Sequence, residues 1–452
     1  MSIIRQESLF DLQDLYDLEP TQRFDAIFSA IDIQPILTVV SKKSRFGPPV
    51  KLNYAAMIYS LVIRISERIP FIKDLVHRLK HDFIFRLDCG FLVSDHVPSE
   101  AAFSRLITQI SESDVLERVQ ETLLLQAISE GFITDDTVAI DATHIEARDQ
   151  APAKEEKPKS EPKKRGRKSK EEHEKWILEK AEKEANLSLY EKPIEAQLNV
   201  SLNDLRTLVP NDPKWGIKKN SEGKNTFWFG YKGHLAVGTK SQYILQSLFS
   251  SGSLNDGKAA IPLLKGIQER LPSLVIRFGT LDAGYDYVPI YEQIYRMKAQ
   301  SVIAYNKKNE SDPIGFDKYF APTCVREHSY QYDSFDSKYE TIKYTRPKEC
   351  RDCPLAKDSL CQKVYKVKIT TDLRRYTAPA RGSKKWKDIY KQRTAVERVN
   401  AYLKEYFQLN QIRYRTGKRA KVHFDLVHLV YNASKLACDR LSVQTKLLNQ
   451  AA

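Results

Sequence analysis

From Pro49 to Ser66 the apolar residues Leu52, Ala55, Met57, Ile58, Leu61, Val62 and Ile65 recur at the spacing of one buried helix face. Phe71 to Leu79 and Ala101 to Ile110 repeat the pattern, which predicts an all-α domain over residues 1–125. At Thr137 the period shortens. Apolar and β-branched runs follow at Thr137–Asp141, Phe227–Val237, Tyr243–Ser250, Val275–Asp282 and Ser301–Tyr305, each the length of a strand. Helical stretches at Lys258–Arg270 and Val288–Lys298 separate the later runs, so an α/β domain with a mixed sheet and flanking helices is predicted over residues 126–440.

Two segments interrupt this alternation. Ala151–Ala185 is dominated by Lys, Glu, Pro and Ser and cannot bury enough apolar surface to offset its ordering entropy. It reads as an exposed linker ending in a solvated helix, part of a basic insertion at 151–225. The second insertion, at 307–381, holds four of the six cysteines.

Composition narrows the class. With 452 residues, 42% hydrophobic and 29% charged, the chain is a folded globular protein with more than one core. The longest strongly apolar stretch, Ala55 to Ile65, contains Arg64 and falls short of the ~18 to 20 residues of a bilayer span. No apolar leader follows Met1, so a cytoplasmic protein without a membrane partner is expected. The 72 Lys and Arg against 58 Asp and Glu leave +14, a balance that favours a polyanionic partner. Lys384 to Lys421 alone has 12 basic residues against three acids, a local excess of +9.

Asp141 ends one predicted strand and Asp282 another, and both are followed by small residues, Ala142 and Ala283-Gly284, which leave room for a ligand. Aspartates that merely end strands are the ordinary alternative. A predicted helix over Lys384–Gln408 adds a third carboxylate. At 100° per residue, Tyr390, Arg393, Glu397 and Lys404 fall within one sector of about 60°, beside an apolar seam of Ile389, Val396, Leu403 and Phe407. A glutamate flanked by cations is often just a salt-bridged helix surface. Here cations outnumber acids fourfold, and phosphate binding accounts for the surplus. Two strand carboxylates and one helix carboxylate make the hard oxygen set that two-metal phosphoryl transfer requires.

The order Asp141, Asp282, Glu397, the contexts Ile-Asp-Ala-Thr and Leu-Asp-Ala-Gly-Tyr-Asp, and Tyr390-x2-Arg393-x3-Glu397-x6-Lys404 resemble the DDE transposases of bacterial insertion sequences and their Y-x2-R-x3-E-x6-K signature. The helical segment from Phe46 to Ser111 is similar to the N-terminal domain common among them. The resemblance implies a ribonuclease H-like core preceded by an all-α DNA-binding domain, with Asp141, Asp282 and Glu397 as catalytic ligands of Mg2+ or Mn2+. It further implies DNA contacts from Tyr390, Arg393 and Lys404, and cleavage of terminal inverted repeats followed by strand transfer into target DNA, in a bacterial cytoplasm and its nucleoid. The separation of 141 residues between Asp141 and Asp282 exceeds a minimal core and accommodates the basic insertion. One set of carboxylates serves one end at a time, so a homodimer on double-stranded DNA is expected. Two rivals stay open: a related metal nuclease without strand transfer, and a regulatory DNA-binding descendant without chemistry.

Four secondary signals remain. Lys163 to Lys170 carries six cations in eight residues around Arg165-Gly166-Arg167, which resembles an AT-hook core with Lys168 in place of its proline; a flexible basic linker is the alternative. Cys350-x2-Cys353, Cys361 and Cys324, with His328 as a further candidate ligand, suggest a structural Zn2+ site, the alternative being unrelated reduced thiols. Tyr285 and Trp386 are candidates to stack on an unpaired base, Tyr285 ahead because of its neighbours Asp282 and Asp286. His234 is expected to make a structural hydrogen bond.

Overall fold

The computed structural model describes residues 19–41, 52–153, 169–219, 222–311, 313–357 and 361–451. The chain divides into two compact units, one formed by Met1–Ile133 with Asn400–Ala452, the other by Thr134–Val399.

The first unit is helical. It comprises α1 (Asp25–Phe28), α2 (Gln34–Val40), α3 (Tyr54–Ser66), α4 (Ile72–His81), α5 (Phe83–Asp88), α6 (Glu100–Ser111) and α7 (Val115–Ser129), joined by a long C-terminal helix, Gly417–Ala451, that packs on α1, α3, α6 and α7. The Asn53 side chain accepts the Ala56 N–H and so caps α3, whose periodic residues Met57, Ile58, Leu61, Val62 and Ile65 are buried. Arg64, buried on the same helix, spends its donors on the Ile69 and Pro70 carbonyls and the Tyr414 hydroxyl.

The second unit is built on β1 (Thr137–Glu146), which is followed by helices α8 (Lys170–Ala185) and α9 (Leu202–Thr207) and then by β2 (Lys214–Lys219), β3 (Asn225–Gly238) and β4 (Ile244–Ser251). Helix α10 (Gly257–Arg270), β5 (Phe278–Leu281), α11 (Val288–Arg296) and β6 (Gln300–Ile303) follow. The central strands lie in the order β4-β3-β1-β5-β6: β3 is antiparallel to β1 and β4, whereas β1, β5 and β6 are parallel. An antiparallel meander extended by two parallel strands with helical crossovers is the ribonuclease H-like arrangement, so the fold class read from the sequence stands. The strand Val275–Asp282 is shorter than its apolar run, pairing only over Phe278–Leu281. Helix α8 is exposed throughout and starts with a Ser169/Glu172 capping box, as a solvated helix should.

Residues 307–381 are more regular than their sequence suggests. They include a second antiparallel sheet, β7 (Gln331–Asp336), β8 (Thr341–Thr345) and β9 (Val364–Lys368), on a small core of Tyr330, Ile342, Tyr344 and Ile369. The chain then returns through α12 (Lys384–Lys391) and α13 (Thr394–Tyr406). Helix Lys384–Gln408 is therefore not continuous. At Gln392 and Arg393 the backbone tightens to hydrogen bonds three residues back, onto Ile389 and Tyr390, while the Thr394 hydroxyl donates to the Lys391 carbonyl and Thr239 donates to the Gln392 side chain. Tyr390 thus ends one helix, and Glu397 and Lys404 belong to the next.

Candidate active site

Strands β1 and β5 pair in parallel up to Ala139 opposite Thr280; Asp141 and Asp282 each lie two residues past that last pair, close enough for the charge of Asp282 to act on Asp141. The Asp282 carboxylate accepts the Gly284 N–H at 2.8 Å, and a Cβ on Gly284 would stand 3.0 Å from that oxygen, which accounts for the small residue there. Burial, reinforced by the charge of Asp282, lifts the Asp141 carboxyl from 3.8 to about 6; the Ala142 N–H, Arg393 and Lys218 oppose the shift.

Arg393 supplies the link to the third carboxylate. Its guanidinium lies 2.8 Å from Glu397, and it is the more enclosed of the two, with a side chain 18% exposed against 48%. Burial works against the Arg393 charge, but Tyr390, Glu397 and Asp141 outweigh it and hold its pKa above the ordinary value. The Tyr390 ring is stacked on Trp386, centroids 4.8 Å apart and planes 12° apart, with Arg393 over the ring at 5.7 Å. Asp141, Asp282, Tyr390, Arg393 and Glu397 therefore share one electrostatic neighbourhood. Lys404 lies two turns further along α13 and is half-buried.

Tyr285 is not available for stacking. Its ring is 1% exposed in the turn after Asp282, and its hydroxyl has no hydrogen-bond partner among the described residues. Asp286 turns away from Asp141 into a buried network: Arg374 donates to it at 3.1 and 2.8 Å, the Tyr291 hydroxyl at 2.7 Å and the Asn306 N–H at 2.8 Å. Arg374 also pairs with Glu310, whose carboxyl is held down to about 2 by hydrogen bonds from Tyr305 and Arg374. No local signal in the sequence identified this clamp, because its members lie 88 and 64 residues apart. His234 is fully buried with Nε2 2.9 Å from the Ser250 hydroxyl, and burial pushes its pKa down to about 4, in line with a structural role.

Cys324, Cys350, Cys353 and Cys361 are reduced and half-buried. Hydrogen bonds tie their segments together: Tyr330, shortly after Cys324, donates to the Gln362 carbonyl at 2.8 Å, and Arg346 donates to the Cys361 carbonyl at 2.6 Å. Burial and the other three thiols raise the Cys350 pKa. Among the described residues no three His, Cys, Asp or Glu side chains are gathered as a metal cage. Asp141 and Asp282 thus make a pair, with Glu397 drawn toward Arg393. Arg165 and Arg167, the AT-hook-like core, lie outside the described residues.

A ribonuclease H-like sheet with one carboxylate within its central strand and another just past the end of the parallel neighbour defines a class of nucleic-acid phosphoryl-transfer folds. Comparison with known families makes the assignment particular: residues 133–433 match the family described as Transposase DDE domain, and residues 13–109 match Transposase domain (DUF772). The chain belongs to the DDE transposase family and is a transposase of the insertion-sequence type. No curated protein matches it. Among the described residues no helix is long and apolar enough to cross a membrane.

Proposed function

We propose that this transposase binds the terminal inverted repeats of its element and carries out metal-dependent strand cleavage followed by strand transfer, with Asp141, Asp282 and Glu397 as the catalytic carboxylates. The observation that carries the reading is the placement of Asp141 and Asp282 two residues past the last pair of two adjacent parallel strands, with Arg393 tying Glu397 into the same neighbourhood. The donor set suits a hard divalent cation: all three are carboxylates, and burial, with Asp282's charge adding to it, lifts the Asp141 pKa, a cost that a bound cation would relieve. When bound, Mg2+ or Mn2+ would activate the attacking oxygen and stabilise the leaving one.

The chain's own groups do the rest. Asp141 would hold the cation through its deprotonated carboxylate. Arg393 and Lys404 neutralise phosphates, and Tyr390, braced by Trp386, lines the strand's path. Water attacks the phosphodiester at the element end and the 3′ oxygen leaves as a hydroxyl; that hydroxyl then attacks a target phosphodiester, one P–O bond replacing another. The helical unit supplies the sequence-reading surface, and two chains act on two ends. Tyr330 and Arg346 tie the segments of the four cysteines together, and a structural Zn2+ there would require the thiols, which are not gathered as a cage among the described residues, to close on it.

The test is to incubate the purified protein and Mg2+ with duplexes taken from the DNA flanking its coding region, following nicking, joining and sedimentation. Nicked, joined products in a complex of two chains are expected. Cleavage without joining would favour the nuclease reading, and binding without cleavage the regulator.

A further inference from the structure

Beyond Gly230, where β1 ends opposite it at Glu146 and the Ala147 N–H makes a last bond to the Phe229 carbonyl, β2 is the one strand among the described residues that borders β3, so Lys214–Lys219 and Asn225–Phe229 form a two-stranded arm. The base of the arm is tight: a Cβ on Gly230 would meet the Ile145 carbonyl oxygen at 2.3 Å, and one on Gly216 would meet the Trp228 ring at 2.3 Å. Trp228 anchors the inner face, its indole N–H donating to the Tyr231 carbonyl at 3.3 Å beside His144.

The other face has no such cover among the described residues. Trp215 pairs with Phe229 and Ile217 with Phe227 across the strands, so all four point the same way. Trp215 is 50% exposed, Ile217 59% and Phe227 58%, with Phe229 edge-on to Trp215 at 5.7 Å. Apolar groups of this size clustered in water mark an interaction surface. Residues 214–229 also carry four lysines against one glutamate, and Lys218 lies within electrostatic reach of Asp141. A second copy of so basic an arm would repel the first, whereas a polyanion is complementary to it.

We propose that the arm is a wedge for the DNA end: Trp215, Ile217 and Phe227 lie against bases opened from the stack beside the scissile phosphate, while Lys218 on the opposite face contacts the neighbouring backbone phosphate. The proposal rests on the cleavage reading above. It adds that the end is unpaired by a part of the chain distinct from the carboxylates.

The test uses the full chain and a flanking-DNA duplex with 2-aminopurine beside the cleavage position. Wild-type binding should raise the probe's fluorescence. Trp215→Ala with Phe227→Ala should lose that rise and cut paired ends about tenfold more slowly, the scale of one lost stacking contact. The same variant should cut ends that carry a mismatch at that position at the wild-type rate. Trp215→Phe with Phe227→Tyr, which keeps the rings, should retain both properties and guards against misfolding. Lys218→Ala should lower the log-log salt slope of binding by about one. A double Ala variant that opens and cuts paired ends like the wild type overturns the wedge while leaving the cleavage reading intact. So does loss of self-association in DNA-free sedimentation with DNA opening unchanged, which would assign the face to a second copy. A wild type that cuts no end DNA overturns the cleavage reading itself, and the wedge with it.

Discussion

The Arg393 guanidinium lies 2.8 Å from the Glu397 carboxylate four residues on, and it raises its own pKa in part through Asp141 on a distant strand. One cation thus stands between two of the three proposed ligands, in a place where a phosphate or a metal would compete for its partners. Replacing Arg393 by Ala should weaken binding of end DNA and lower the salt slope by about one unit, as should Lys404→Ala, if each neutralises one phosphate. Binding isotherms across a salt series decide this. An unchanged slope would confine either cation to bracing its helix.

Asp141→Asn, Asp282→Asn and Glu397→Gln should each abolish Mg2+-dependent nicking while leaving DNA binding equal or tighter, since each removes a ligand and a negative charge. Nicking and gel-shift assays on the same preparations separate the two effects. Any variant that still cuts removes its residue from the catalytic set.

The pH dependence of Asp141 has a definite sign. Its folded pKa, about 6, stands above the ordinary 3.8, so the folded state favours the protonated acid. Its contribution to stability is intact below the ordinary carboxylate range and is lost as pH rises through about 6, at up to roughly 1.4 kcal/mol per pH unit. In metal-free buffer Asp141→Asn should therefore gain stability over the wild type as pH rises from about 4 to about 6 and hold a constant margin above. Mg2+ should narrow that margin by stabilising the wild type. Urea denaturation at several pH values measures it, and a pH-independent margin contradicts the buried-carboxylate account.

Arg374 is a stability residue rather than a catalytic one. Its loss leaves Asp286, whose side chain is 0% exposed, without its cation, so Arg374→Ala should cost about 3 to 5 kcal/mol. Adding Asp286→Asn should restore part of the loss. Equilibrium denaturation of both variants reads the effect, and an Arg374→Ala protein as stable as the wild type would show the network to be dispensable.

If Cys324, Cys350, Cys353 and Cys361 hold zinc, the protein should retain about one equivalent after exhaustive dialysis and lose it in the Cys350→Ser, Cys353→Ser variant. Elemental analysis is sufficient. A zinc-free preparation of full stability and activity would leave the four as reduced thiols of the small sheet's edge.

Local pattern carried most of the architecture. The helical period around Met57 to Ile65, the apolar runs that lead into Asp141 and Asp282, and the spacing from Tyr390 to Lys404 are set by neighbouring residues, because strand and helix periodicity are local properties; that β1 does not end at Asp141 but continues to Glu146 is decided by its pairing with β3. The second sheet, with Thr341–Thr345 and Val364–Lys368, lies in a segment whose sequence marks it only as a cysteine-containing insertion. What lay beyond the sequence depends on distant segments meeting. Only the pairing of β1 with β5 brings Asp141 near Asp282; only tertiary packing buries Tyr285, turns Asp286 to Arg374 and breaks the helix before Glu397. Nothing local announces that Gly417–Ala451 returns to the N-terminal helices, or that Lys218 reaches Asp141. Side-chain periodicity determines which face of an element is apolar, but which partner covers that face is decided by the whole chain at once, through the burial and charge that each pairing permits.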